Sequence, residues 1–265
     1  MALPLTTVDA FADRPFEGNP AAVIELGDAA LDDDVLQALA AELGLSETAF
    51  VAPRADGDWD LRWFTPNTEV DLCGHATLAA AHVLSQKHAG PFRFHTLSGV
   101  LTCKDGHFAQ HRMDFPATPA RPCPPPPGLM SALGIGGIAA CGQSRFDLLI
   151  ELSSAAAVEA ITPNMAALAR IPVRGVMVTA PGDGTDADFV SRFFAPRVGV
   201  PEDPVTGSAH CALGPWWTER LGSNRLRARQ LSRRGGSLYV RVDGDRVVLE
   251  GNAVVVIAGS IDPGV

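Results

Sequence analysis

The apolar positions of this chain change period along its length. Leu3 to Phe11 and Ala21 to Leu26 have strand character, on either side of a turn made by Phe16, Glu17, Gly18, Asn19 and Pro20. Asp32 to Leu43 has helical spacing, and Gly44 falls where a helix C-cap is expected. Glu47 to Ala52 and Trp59 to Phe64 return to strand spacing. His75 to Leu84 is small or apolar on nearly every face, which predicts a helix buried all round. Phe92 to Cys103 and Phe108 to Asp114 complete the short strands expected around it. From Pro116 to Pro127 the prolines crowd together, four in succession from Pro124, and no regular element is expected through this linker.

Beyond the linker the recipe recurs. Strands are expected near Gly137 to Gly142, Phe146 to Leu152, Gly175 to Ala180 and Asp188 to Phe194, with a helix around Pro163 to Arg170. A helix from Ser208 to Leu221 follows, interrupted or kinked at Pro215. Arg225 to Ser232, Leu238 to Val242, Arg246 to Glu250 and Val254 to Ala258 read as the last strands.

The recurrence extends to individual residues. Arg62, Trp63, Phe64, Thr65 and Pro66 lead through a loop into Asp71, Leu72, Cys73, Gly74, His75 and Ala76. Arg192, Phe193, Phe194, Ala195 and Pro196 lead through a similar loop into Asp203, Pro204, Val205, Thr206, Gly207, Ser208 and Ala209. Each copy reads as strand, loop, and a helix that begins at a glycine among small residues. Chance is the alternative to duplication, but order and spacing both agree, and the period is far too long for a solenoid. Two helix starts facing one cleft would hold an anionic small molecule.

Composition narrows the classes. The 265 residues suit two modest domains, and 46% hydrophobic content is ample for packed cores. No stretch approaches the roughly 18 apolar residues of a membrane span, and Met1 to Thr7 lacks the pattern of a secretory leader, so the expectation is a cytoplasmic protein without a membrane partner. A net charge of -9 without a block of Lys and Arg argues against nucleic acid. Cys73, Cys103, Cys123, Cys141 and Cys211 are odd in number and lack a C-x-x-C pair, which suits reduced thiols. Cys73 and His75, with His210 and Cys211, tempt toward a metal, but C-x-H and H-C are not the usual zinc spacings, and no metal is expected.

Phe16, Gly18, Asn19, Pro20, Ala21 and Val23, then Ser46 to Val51, resemble early motifs of the PhzF-like (phenazine biosynthesis) family. Trp63 to Pro66, Asp71 to Ala81 and Glu202 to Ala209 resemble its other motifs, and Gln230 to Gly236 is a weaker match. The resemblance implies an α+β, diaminopimelate epimerase-like fold: two pseudo-symmetric domains, each a curved, mostly antiparallel sheet wrapped around a central helix. Residues 1–116 are then the first half, 117–252 the second, and the last strand, within 253–265, is expected to return to the first. The active site would lie in the cleft between them. A homodimer and no cofactor are also implied.

Relatives in the wider fold that invert a carbon use two cysteines, one at each helix start. Here Cys73 precedes Gly74 but Thr206 precedes Gly207, so two-thiol chemistry is not expected, and Cys211 reads as packing. The family points instead to Glu47, a carboxylate in an apolar strand that needs a partner or a role; a solvent-facing Glu at a strand start is the bland alternative. The resemblance adds Asp203, His75 and Ser208 as catalytic support or substrate contacts, with backbone N–H groups at Gly74 and Gly207, although Asp203 and Ser208 could equally cap a helix. Asn19 and Cys73 are further candidate contacts. Arg233 and Arg234 read as a solvated hairpin, and Arg62 and Arg192 as partners of carboxylates.

The expected function is cofactor-independent isomerisation of a small unsaturated, carboxylated substrate, similar to that of trans-2,3-dihydro-3-hydroxyanthranilate. An amino-acid-type epimerase or racemase, and a binding protein without catalysis, are the alternatives.

Overall fold

In the computed structural model, which describes residues 2–264, the chain forms two compact units. One holds the residues up to Asp114 and those from Glu250 onward, and the other holds Phe115–Leu249. Met1, and Val265 at the end of the segment expected to return, lie outside the described residues.

The chain begins with β1 (Leu3–Ala10), β2 (Asn19–Glu25), α1 (Asp33–Leu43), β3 (Glu47–Pro53), β4 (Trp59–Phe64) and β5 (Glu69–Val70). It continues through α2 (Gly74–Ser85), β6 (Phe92–Thr96), β7 (Gly99–Asp105) and β8 (His111–Pro116). Next come β9 (Arg121–Pro122), α3 (Leu129–Leu133), β10 (Ala140–Gln143), β11 (Asp147–Glu151), α4 (Ala155–Glu159) and α5 (Met165–Leu168). Then follow β12 (Gly175–Pro181), β13 (Phe189–Ala195), β14 (Val200–Asp203), α6 (Gly207–Leu221), β15 (Arg225–Gln230), β16 (Gly236–Asp243), β17 (Arg246–Gly251) and β18 (Ala253–Ile261).

The pairings repeat. In the first unit β1 is antiparallel to β2, β2 parallel to β3, β3 antiparallel to β4, and β4 parallel to β6, which is antiparallel to β7. In the second, β10 is antiparallel to β11, β11 parallel to β12, β12 antiparallel to β13, and β13 parallel to β15, which is antiparallel to β16. Each set carries its long helix, α2 or α6, at the same place in the order. The outer strand β18 pairs antiparallel with β1, as β9 does with β10.

Composition explains why α2 is central. Its residues His75 to Leu84 are all buried, and between His75 in the first turn and His82 in the last every side chain is alanine, leucine or threonine. Leu78 and Leu84 are fully enclosed, and each contributes roughly 1.5–3 kcal/mol by leaving water. At the turn before β2, Gly18 has φ +67°, and a Cβ there would stand 2.2 Å from the Ala10 carbonyl oxygen, so the turn admits only glycine.

Five expectations are corrected. α6 runs unbroken through Pro215. Proline removes the N–H that would bond the Cys211 carbonyl, and Thr118 N–H donates to that oxygen instead at 3.0 Å. That same proline-rich stretch contains β9, whose partner β10 holds it as a short strand. Phe92 to Cys103 is two strands, β6 and β7, joined by a turn at Leu97 and Ser98, and β8 starts at His111 instead of Phe108. The helix expected over Pro163 to Arg170 shrinks to α5, and the short helices α3 and α4 escaped the periodicity because five residues span barely more than one turn.

Candidate active site

The first half-site is built where β2, β3 and α2 meet. β2 and β3 are parallel with Ala21 opposite Glu47, which brings Asn19 and Glu47 to neighbouring strand starts. α2 begins at Gly74 and offers Cys73 and His75 from its first turn. Asn19 is fully buried, and its Nδ2 lies 3.3 Å from His75 Nδ1. This contact fixes the orientation of the ring, and which atom donates depends on the protonation state of the imidazole. Nε2 in turn lies 3.2 Å from Glu47 Oε2, within ion-pair range though not aligned as a hydrogen bond. Cys73 Sγ is 3.5 Å from the same Nδ1.

The environment separates these groups. Burial pushes the Cys73 thiol above its ordinary value, and the Glu47 charge adds to the effect. At His75 burial opposes the charged ring, but Cys73 and Glu47 beside it outweigh burial and raise its pKa. Glu47 keeps 20% of its side chain exposed against 8% for His75, so the carboxylate is the member of the pair that a solvent molecule or ligand can reach. Glu47, Cys73 and His75 are also a donor set of zinc-binding type, with ligand atoms within 4.8 Å of one another. A second such group, Asp56, Asp58 and His95, is already spanned by Arg54 and Arg93. His210 and Cys211 are used inside α6, on the carbonyls of Thr206 and Gly207.

The second half-site surrounds the start of α6. Thr206 Oγ1 donates to Asp203 Oδ2, and Gln230 clamps the loop: its Oε1 accepts from Thr206 N–H at 3.0 Å and its Nε2 donates to the Asp203 carbonyl at 2.7 Å. Gln230 is fully buried. Ser208, in the first turn, accepts a hydrogen bond from Arg174 Nη2 at 3.1 Å. Arg174 is itself held by the buried Asp147, whose two carboxylate oxygens take Nε and Nη2. Asp203 pairs in register with Phe193, as Val70 does with Trp63, so Asp203 corresponds to Val70 and not to the neighbouring Asp71 of the repeat.

The structure therefore groups Asn19, Glu47, Cys73 and His75 in one unit and Asp203 and Ser208, flanking Gly207, in the other. Arg62 and Arg192 are structural: each forks onto a glutamate, Glu69 and Glu202, and stacks on Phe64 or Phe194. Ser232 to Gly235 is the turn between β15 and β16, tied by Ser232 to the Pro204 carbonyl. Sequence reasoning missed Asp147 and Arg174. They stand outside the repeated motif: Asp147 pairs in register with Gly175, and Arg174, the residue before that glycine, bridges Asp147 to Ser208.

Comparison with known proteins agrees with this architecture. A family model described as phenazine biosynthesis-like protein, PhzC-PhzF, matches residues 8–259. An uncharacterized isomerase of Halalkalibacterium halodurans is 48% identical over 98% of this chain and 99% of its own length. The crystal structure of a phenazine biosynthesis protein of the PhzF family from Enterococcus faecalis is 41% identical, with a TM-score of 0.93 over 99% of this chain and 100% of that one. A hydroxyproline epimerase from Agrobacterium vitis, 11% identical, shares the fold with a TM-score of 0.59 over 98% of this chain and 92% of that one. With its duplicated sheet-and-helix units and a match along almost its whole length, the chain belongs to the phenazine biosynthesis-like PhzC-PhzF proteins, a family of isomerases.

Proposed function

We propose that the protein is a cofactor-independent isomerase in which Glu47 moves a proton between two carbons of a small unsaturated carboxylic acid. The observation that carries this reading is the buried contact of Glu47 with His75, whose ring is positioned by Asn19. Glu47 takes a proton from an activated C–H bond, the electron pair spreads into the adjoining unsaturated system, and the same carboxylic acid, after exchanging its proton with solvent, delivers a proton at another carbon. Nothing is gained or lost, and the double bond has moved. His75 offers a hydrogen bond to negative charge as it develops. Asp203 and Ser208 serve the same substrate in this proposal, as do the backbone N–H groups at Gly74 and Gly207. A homodimer in the cytoplasm completes the reading; among the described residues no helix is long and apolar enough to cross a membrane.

The epimerase reading has one observation in its favour, the Cys73 sulfur beside His75. Against it stand the upward push on that thiol and Thr206 at the matching position. The two readings separate in deuterium oxide. Incubating the protein with trans-2,3-dihydro-3-hydroxyanthranilate, and separately with L-proline and hydroxyproline, is followed by proton NMR. The isomerase reading expects a shifted double bond carrying deuterium at carbon. Deuterium at the α-carbon of an amino acid, without double-bond movement, would favour epimerisation, and unlabelled ligands throughout would leave only binding.

A further inference from the structure

We propose that Arg174 and Ser208 form a carboxylate-binding subsite, the second unit's counterpart of the Glu47–His75 pair, so that one half of the duplicated fold moves the proton and the other holds the acid. The inference rests on the isomerase reading for its meaning and on strand register for its geometry. In the first unit Thr48 pairs with Phe64, and in the second Val176 pairs with Phe194. The repeat makes Phe64 and Phe194 equivalent, so Glu47 corresponds to Gly175 and Ser46 to Arg174. The parallel pairings agree, since Ala21 faces Glu47 as Asp147 faces Gly175. Counting from Gly74 and Gly207, His75 corresponds to Ser208.

The equivalence shows what has been exchanged. At Gly175 a Cβ would stand 2.3 Å from the ring of Phe193, so the second unit has no room for a side chain where the first has its carboxylate. The neighbouring Arg174 reaches the helix start instead, and Ser208 takes the place of the imidazole. A cation and a hydroxyl replace a carboxylate and a titratable ring, which converts proton transfer into anion recognition.

The guanidinium is prepared for such a ligand. Asp147 fixes its Nε and Nη2, and the rings of Phe146 and Phe193 lie 5.1 and 5.8 Å from its centre. Among the described residues Nη1 carries no hydrogen bond, so two N–H donors remain, on a side chain that is 38% exposed. Because Ser208 Oγ accepts from Nη2, its own proton is free to donate. One Nη1 N–H and the Ser208 O–H together match the two oxygens of a carboxylate.

The test measures binding to the intact protein by ligand-observed NMR. Anthranilate and benzoate serve as acid probes, and anthranilamide and benzamide as neutral matches. The acids are expected to bind more tightly than their amides, and Arg174→Gln to weaken the acids by about 10- to 100-fold while leaving the amides unchanged. Arg174→Gln strands the buried Asp147, so the double variant Arg174→Gln/Asp147→Asn and the single variant Ser208→Ala, which keeps the Asp147–Arg174 pair, must weaken the acids as well. Equal binding of acids and amides, unchanged acid binding in these variants, or no binding by either acid overturns the subsite. If acids bind through Arg174 while Glu47 moves no proton, the isomerase reading fails and the subsite stands. If Glu47 exchanges a proton while acid binding is indifferent to Arg174, the subsite fails and the isomerase reading stands.

Discussion

His210 makes a quantitative prediction about the helix that presents Ser208. Its ring is fully buried in α6, with Nδ1 2.8 Å from the Thr206 carbonyl and one face toward Phe189. Burial lowers its pKa from 6.5 to about 4, with the Thr206 hydrogen bond opposing the shift. The folded protein therefore binds this proton less readily than the unfolded chain. Above pH 6.5 both states are neutral and the site costs nothing. As pH falls below 6.5, the unfolded chain is protonated first, and stability is lost until about pH 4, where the folded state begins to take up the proton. With those two values the loss is about 2 kcal/mol at pH 5 and about 3 kcal/mol at pH 4. Urea unfolding of the wild type and His210→Gln from pH 7.5 to 4 isolates this contribution, because all other titrating groups are shared. The variant is expected to be less stable at pH 7.5 and to close the gap by about 3 kcal/mol at pH 4. Stability curves that run parallel over this range would refute the reasoning.

Two further substitutions probe the framework around each half-site. Gly18→Ala places a methyl against the Ala10 carbonyl in a left-handed turn, and is expected to cost about 2–4 kcal/mol, read as a lower urea midpoint with an unchanged slope. Gln230→Leu removes the partners of Thr206 N–H and the Asp203 carbonyl, for a loss of about 2–3 kcal/mol; hydrogen exchange should show faster opening at Thr206 and little change in α2.

The sequence carried the fold because its two periods were strong. α2 is small and apolar on all sides, and the Arg-x-Phe strands with their glycine-started helices marked the duplication before any pairing was known. What stayed hidden depends on contacts distant in the chain. Nothing near Pro215 tells that Thr118 will supply the hydrogen bond the helix lacks. Asn19 read as a turn residue, and its place against His75 follows from a separation of 56 positions being folded back. Asp71 and Asp203 looked equivalent because a one-residue offset is invisible in a short motif, while strand register resolves it. Arg174 and Asp147 carried no motif at all, and Gly175, an ordinary glycine in the sequence, gains its meaning from the Phe193 ring beside it.

The central claim is that Glu47 carries the proton. The direct measurement is single-turnover deuterium incorporation from solvent into carbon of trans-2,3-dihydro-3-hydroxyanthranilate, comparing wild type, Glu47→Gln and Cys73→Ser. Glu47→Gln keeps the shape but removes the base, so its rate should fall by about 10²–10⁴-fold, while Cys73→Ser keeps most of its activity. Incorporation by Glu47→Gln at the wild-type rate would contradict the account.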